Sequence, residues 1–402
     1  MRRYRLLILL LPPLLWPLAA VAQVAPSTSL ASAQDPGDRP VSRQEVEDLR
    51  RQILQESRSS VELLFDAHRE NGDLNNELDF LRFGARVNIK WNPSTTLSLA
   101  AQRTPYQTKG GVLKSSATGV TLGVRRRASE RAAWEVELSG THFPEGDWSV
   151  TGLASFTQRP SDALRYSLTL RRTIVEESLL SVAGLRPSRG PFAGLRVGGV
   201  HDNRAFLNGS YRLPAHFDVF AEAGIGSRSG SQVDGNLFKR AGGGLGFDAV
   251  ARAADEGLSL VRLSVALDYL GFDEDRLGFG GASLLDRLGR PVPLDRLGSD
   301  GISPVPTETQ PGLGGYFSPH RFVSRVVRVE ARGRFGTSVD YGASAFVGTQ
   351  SFTGASTRRA GGVSAGLTIR FNERVTLPVV YAWDDFGPFA QQSVVARLVM
   401  LF

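Results

Sequence analysis

Val261-Arg262-Leu263-Ser264-Val265-Ala266-Leu267-Asp268-Tyr269 alternates without a break, with Val, Leu, Val, Leu and Tyr on one parity and Arg, Ser, Ala and Asp on the other. Successive side chains of a β-strand point to opposite faces. This stretch therefore has one apolar face and one polar face carrying both signs of charge. The same dyad recurs along the chain. Leu81, Phe83, Ala85, Val87, Ile89 and Trp91 oppose Arg82, Arg86, Asn88 and Lys90. Trp134, Val136 and Leu138 oppose Glu135 and Glu137, and Leu164, Tyr166, Leu168 and Leu170 oppose Arg165 and Arg171. Val327, Val329 and Ala331 oppose Arg328, Glu330, Arg332 and Arg334, and the chain stops on Phe402 after Val394, Ala396, Leu398 and Met400.

A soluble β-sandwich also alternates. Three features favour an all-β, antiparallel transmembrane barrel. Charges recur on many successive polar faces, as a solvated lumen explains; the apolar faces often end in Trp, Tyr or Phe, as interfacial girdles do. The last alternation also ends on an aromatic, Phe402, which resembles the assembly signal of outer-membrane barrels. No run of 18 apolar residues follows the N-terminal segment, and strands cross a bilayer only as a closed barrel. Residues 59–402 number 344, and a strand plus its connection uses roughly 21, so about 16 strands fit. Gly194 to Leu213 reads either as one bulged strand or as two short ones; one strand gives the even count.

The N-terminus precedes that pattern with Arg2, Arg3 and Arg5, an apolar run broken by prolines, and Ala20-Val21-Ala22. Residues 1–22 are therefore expected to be a secretory signal. Residues 23–58 form a tail with one short helix, in which Ser42 and Glu45 have capping-box spacing and Val46, Leu49 and Ile53 share a face. A solvated periplasmic helix, a plug and a docking helix all fit it. Removing the signal lowers the net charge from +7 to +4, too little to imply a nucleic-acid partner. With no cysteine there is neither a disulfide framework nor a thiolate metal site. The five histidines are isolated, His-x-x-x-His and calcium-loop spacings are missing, and Ser318–His320 lacks a third group. No enzyme, cofactor or metal is expected. The expected partners are outer-membrane lipid and the barrel assembly machinery.

Connections alternate in length. Asn92-Pro93-Ser94, Leu213-Pro214-Ala215, Phe335-Gly336-Thr337 and Asn372-Glu373-Arg374 read as periplasmic turns, whereas Arg69–Glu77, Thr104–Lys114, Glu176–Pro191, Ser227–Asn236 and Gln350–Arg359 read as outward-facing polar loops. The connection Gly271 to Gly315 is far longer and repeats Asp-Arg-Leu-Gly. Loops of this length are usually functional or disordered, and this one is a candidate constriction or cover.

At Gly314-Gly315-Tyr316-Phe317-Ser318-Pro319-His320-Arg321-Phe322-Val323-Ser324 the sequence resembles the C-terminal barrel of the cellulose synthase outer-membrane subunit family, with His320 where Gln is usual. Arg171-Arg172-Thr173-Ile174-Val175-Glu176-Glu177-Ser178-Leu179-Leu180-Ser181-Val182-Ala183-Gly184 is similar to a second, weaker motif of that family. The resemblance implies an export porin for cellulose or a related β-glucan. Because the motif ends the long connection, Gly314 to His320 and Phe322 are expected either to line or gate the outer mouth or simply to anchor the loop. The family barrel usually follows a tetratricopeptide array. No 34-residue repeat occurs here, so the scaffold is expected to be a separate protein or absent; the partners implied are the exported polysaccharide and, where such a scaffold exists, it and an inner-membrane glycan synthase. The lumen residues quoted above, with Asp218 and Glu222, give nine bases against six acids. Rings of like charge set ion selectivity, so this near balance suits a neutral glycan. A general diffusion porin or a purely structural barrel remains the alternative, in which these residues only solvate and brace the wall.

Overall fold

Sixteen strands follow the alternation. They are β1 (Ser60–Asn71), β2 (Leu78–Asn92), β3 (Thr95–Thr108), β4 (Lys114–Ser129), β5 (Ala132–His142), β6 (Trp148–Gln158), β7 (Leu164–Ile174), β8 (Gly198–Arg212), β9 (Phe217–Ser231), β10 (Val233–Ala251), β11 (Gly257–Phe272), β12 (Phe322–Phe335), β13 (Val339–Phe352), β14 (Arg358–Arg370), β15 (Val375–Phe386) and β16 (Phe389–Leu401). Each pairs antiparallel with its sequence neighbour, and β1 pairs with β16, so the sheet closes into a barrel. The computed structural model describes Arg50, Ile53 and residues 57–402, apart from 72–77, 109–110, 112–113, 145–146, 185, 187–193, 252–256, 275–283, 286–290, 293–317, 353–356 and 387–388. The signal and most of the short helix lie outside the described residues, as do Gly314 to Phe317 and most of the connection from Gly271 to Gly315. Within that connection Leu284–Leu285 pairs with Pro291–Val292 as a two-residue ribbon.

The outer face is the apolar one. Leu263, Val265 and Leu267 stand 44%, 53% and 51% exposed, and Leu99, Leu122, Leu138, Leu207 and Val347 continue the same surface around the barrel. An apolar surface this extensive marks a membrane contact rather than a wetted wall. Trp91, Tyr211, Phe217, Phe335, Phe371 and Phe402, all exposed, ring one end, as an interfacial girdle does. That end carries both barrel termini and the tight turns. At one of them the Asn92 side chain accepts from the Ser94 backbone N–H at 3.0 Å; at another Gly336 supplies the left-handed backbone, φ +55. Short turns are periplasmic in outer-membrane barrels, so the opposite end faces out.

Two expectations about connections are corrected. The loop expected over Ser227–Asn236 is a continued hairpin, turned at Gln232 alone, because Arg228 pairs with Asn236 across the ladder and Gly230 with Val233. Its serines and glycines read as loop chemistry, yet neighbouring strands satisfy their backbone. The loop expected to face outward from Glu176 instead folds inward, as described below. Gly194 to Leu213 contains one strand, β8, with a register shift between Gly198 and His201.

Candidate functional site

Arg86 on β2 donates to Glu137 on β5 at 2.9 Å, three strands away. Side chains of non-neighbouring strands converge only on the concave side of a closed sheet. This contact identifies the inner face, and alternation carries the assignment along the ladder. Arg82, Arg86 and Lys90 on β2, Glu135 and Glu137 on β5, and Arg165 and Arg171 on β7 lie on it. So do Arg262 and Asp268 on β11 and Arg328, Glu330, Arg332 and Arg334 on β12.

Many of these charges are paired, several with acids or bases that the sequence did not single out. Arg262 pairs with Asp218 on β9 and lies 3.5 Å from Asp248 on β10. Arg240 pairs with Glu222 at 2.6 Å, and Arg334 with Asp340 at 2.8 Å. Arg332 and Glu330 approach to 3.6 Å, Ser324 donates to Asp268 at 3.3 Å, and the Arg328 guanidinium lies 5.6 Å from the Phe346 ring centre. Small residues make room for this lining. A Cβ on Gly242 would meet Asp268 and Glu222, on Gly244 the Phe220 ring, and on Gly246 Arg262 and Asp218. The run Gly242-Gly243-Gly244-x-Gly246 thus serves close packing of lumen side chains.

Toward the outer end the lumen is crossed by the segment after β7. Ser178 caps a single helical turn, α1 (Leu179–Val182), and exchanges hydrogen bonds with Ser181 in a capping box. Just before it, two adjacent carboxylates reach opposite sides. Glu176 accepts from Arg82 at 2.5 Å and from Tyr106 at 2.9 Å, on β2 and β3. Glu177 accepts from Arg228 on β9 at 2.7 Å, and Arg228 also donates to Asp202 on β8 at 3.3 Å. Leu179, Val182 and Ala183 complete a buried cluster with Leu78, Tyr106, Ala117 and Phe143. Arg196 ties the returning chain down by donating to the Ala183 carbonyl at 2.6 and 2.9 Å. Beside this inward segment lies a cavity of 130 Å³ whose lining includes Gln102, Thr104, Tyr106, Thr141, Thr151 and Thr173. Hydroxyls and an amide both donate and accept, and Arg82 and Glu176, which also line the space, are paired with each other, so it suits a neutral, hydroxyl-rich ligand.

Sequence reasoning missed this crossing because Glu176–Pro191 was read as a solvated loop. The available signal was Leu179-Leu180 and Val182-Ala183, apolar residues with no reason to stand in water. The described end of the other motif is built into the wall. Ser318 is fully buried, the Phe272 N–H donates to the Pro319 carbonyl at 2.9 Å, His320 lies beside the Phe272 carbonyl at 3.3 Å, and Phe322 is buried where β12 begins. Phe402 stands exposed at the seam, its N–H donating to the Ser59 carbonyl at 2.9 Å.

The structure does bring one nucleophile and base together, Ser149 Oγ and His201 Nε2 at 2.5 Å. Among the described residues no carboxylate orients that imidazole, as a catalytic triad requires. Among the described residues no group of three or more His, Asp or Glu is placed to hold a metal ion.

A family model described as cellulose synthase operon protein C C-terminus matches residues 71–280. That span contains the Arg171–Gly184 stretch and ends before Gly314. No curated protein matches the chain. Among solved structures, a bacterial polysaccharide outer membrane secretin superposes with a TM-score of 0.59 at 13% identity, over 86% of this chain and 99% of that one. The CymD monoaromatic hydrocarbon channel gives 0.41 at 9% identity, over 90% and 93%. OmpF of Salmonella typhi, in complex with daunomycin, gives 0.38 at 10%, over 87% and 99%.

Proposed function

Because the chain belongs to the cellulose synthase operon protein C C-terminal family and is a closed outer-membrane barrel, we propose that it exports an exopolysaccharide, cellulose or a related β-glucan. The observation that carries this reading is the inner face, where many Arg side chains are paired with carboxylates of nearby strands and the space beside the inward segment has hydroxyl and amide groups in its lining. Paired charges leave little net field for selecting ions, while a neutral polymer gains hydrogen bonds at every step. The lumen residues from Arg82 to Arg334 act as this hydrogen-bonding wall. Glu176 to Gly184 forms the constriction, and Ser318 to Phe322, the described end of the other motif, fixes the start of β12 at the rim. The exported glycan is the substrate. A separate periplasmic scaffold and an inner-membrane glycan synthase are the partners that such export requires.

The decisive experiment is a deletion strain assayed for secreted glycan and its sugar composition, complemented with the intact chain. Loss of a glucose polymer, restored on complementation, is the expected result. Unchanged glycan, with ion conductance still present in planar bilayers, would assign the barrel to general diffusion instead.

A further inference from the structure

Arg172 has no part in the lumen. Arg171 points inward, and Arg172, one residue on, shares the lipid-facing side of β7 with Leu168 and Leu170, which are 45% and 52% exposed. The apolar partners of that face make its presence there notable. Its Nε donates to the Val150 carbonyl at 3.0 Å and its Nη1 to Asn203 Oδ1 at 2.9 Å, which fixes the guanidinium against the wall. A guanidinium has five N–H donors, so donors remain for an anion.

Around Arg172 the lipid side of the wall carries a shallow, open groove of 820 Å³ that extends from β5 to β10. Gly152, Ala154 and Ala205 form its floor, and Leu138, Ile225 and Leu237, each more than half exposed, form its sides. Lys239 is a second cation along it and Asp273 an acid, while Glu137, Arg171 and Arg204, which also border it, belong to the lumen face. The ladder gives the spacing of the two cations. Arg172 is opposite Asn203, Asn203 opposite Ser227 and Ser227 opposite Leu237, with Lys239 two residues farther along β10. Three strand steps are about 14 Å and two residues along a strand about 7 Å, so the two backbone positions stand about 16 Å apart, a separation that suits two phosphates rather than one. Arg172 lies two residues from the outward end of β7, so the groove is at the level of the outer leaflet.

We propose that this groove binds a bisphosphorylated, acylated glycolipid of the outer leaflet, with one acyl chain laid on the Gly152–Ala154–Ala205 floor and the two phosphates held by Arg172 and Lys239. Arg matches phosphate with a planar fork, and charge-assisted bonds of this kind are the strong ones. The two-cation spacing selects a headgroup with two anions over a phospholipid with one. The site lies on the lipid side of the wall, so it does not depend on which polymer crosses the lumen.

The test uses the full chain purified in a neutral detergent, with bisphosphorylated lipid A as probe and bound lipid read by native mass spectrometry. Arg172→Gln/Lys239→Gln should weaken binding at least tenfold, and monophosphorylated lipid A should bind the unaltered chain several-fold more weakly. Ala205→Trp, which fills the floor, should also weaken binding while the heat-modifiable gel mobility of the folded barrel is kept. Arg359→Gln, an outward cation on the opposite wall, should leave binding unchanged. Equal affinity in the double variant or in Ala205→Trp overturns the proposal. So does an equal loss in Arg359→Gln, which would indicate general attraction, or full displacement by equimolar inorganic phosphate, which would indicate a free-anion site.

Discussion

Val265 and Ser264 are adjacent in sequence and face different media: Val265 meets the hydrocarbon and Ser264 the lumen, opposite Arg328. Arg placed at 265 should destabilise the barrel by about 2–4 kcal/mol if the site is near the midplane, whereas Ser264→Arg should be tolerated better, since that face already carries charged side chains of both signs. Urea unfolding in phospholipid vesicles measures both, and equal losses would contradict the face assignment. The turn between β8 and β9 offers a change of opposite sign. Ala215 and His216 both sit in the left-handed region, at φ 58 and 66, where a Cβ costs roughly 1–2 kcal/mol. His216→Gly removes that strain and adds some unfolded-state entropy. A net gain of about 0.5–1 kcal/mol is the expected outcome of the same unfolding assay.

Among the elements, the strands were legible and the inward segment was not. Alternation is a local signal: each of Val261 to Tyr269 is assigned by its immediate neighbours, and the pairing follows. The crossing at Glu176-Glu177 is fixed by Arg82, Tyr106 and Arg228, up to 94 residues away in sequence, and no window of sequence contains both halves. The same holds for Asp218 beside Arg262, 44 residues apart, whereas Asp340 beside Arg334 spans only the turn between β12 and β13. The hairpin at Gln232 was hidden because its Ser and Gly residues resemble loop residues until their ladder partners are known. Glu176→Ala/Glu177→Ala should cut the charged ties of the inward segment to both walls, leaving α1 on its apolar contacts, and raise single-channel conductance several-fold without loss of assembly. Buried Arg228 keeps Asp202 as a partner, which limits the penalty of leaving a charge unpaired. Deleting 275–312 in a parallel variant separates the two candidate gates. If conductance rises only there, the constriction lies in the long connection and not at α1.

At the scale of the molecule the barrel depends on its seam. β1 and β16 pair along their full length, from Ser60 with Leu401 to Asn71 with Ala390, and Phe402 presents its ring to the lipid just beyond. Phe402→Asp places a charge at that end and should reduce the heat-resistant, folded fraction in outer-membrane preparations by at least several-fold. Normal assembly would show that the terminal aromatic is dispensable. Because the ring closes between its first and last segments, closure joins points roughly 340 residues apart, an entropic cost of about 5 kcal/mol by the logarithmic rule for loops. Such pairings are slow to nucleate. Until β16 has been translated and delivered, β1 presents an open row of amide donors and acceptors, and so does β15. The nascent sheet is therefore most prone to mispairing just before completion, and a catalyst that holds the first edge for the last strand would shorten that interval more than one acting on any internal hairpin.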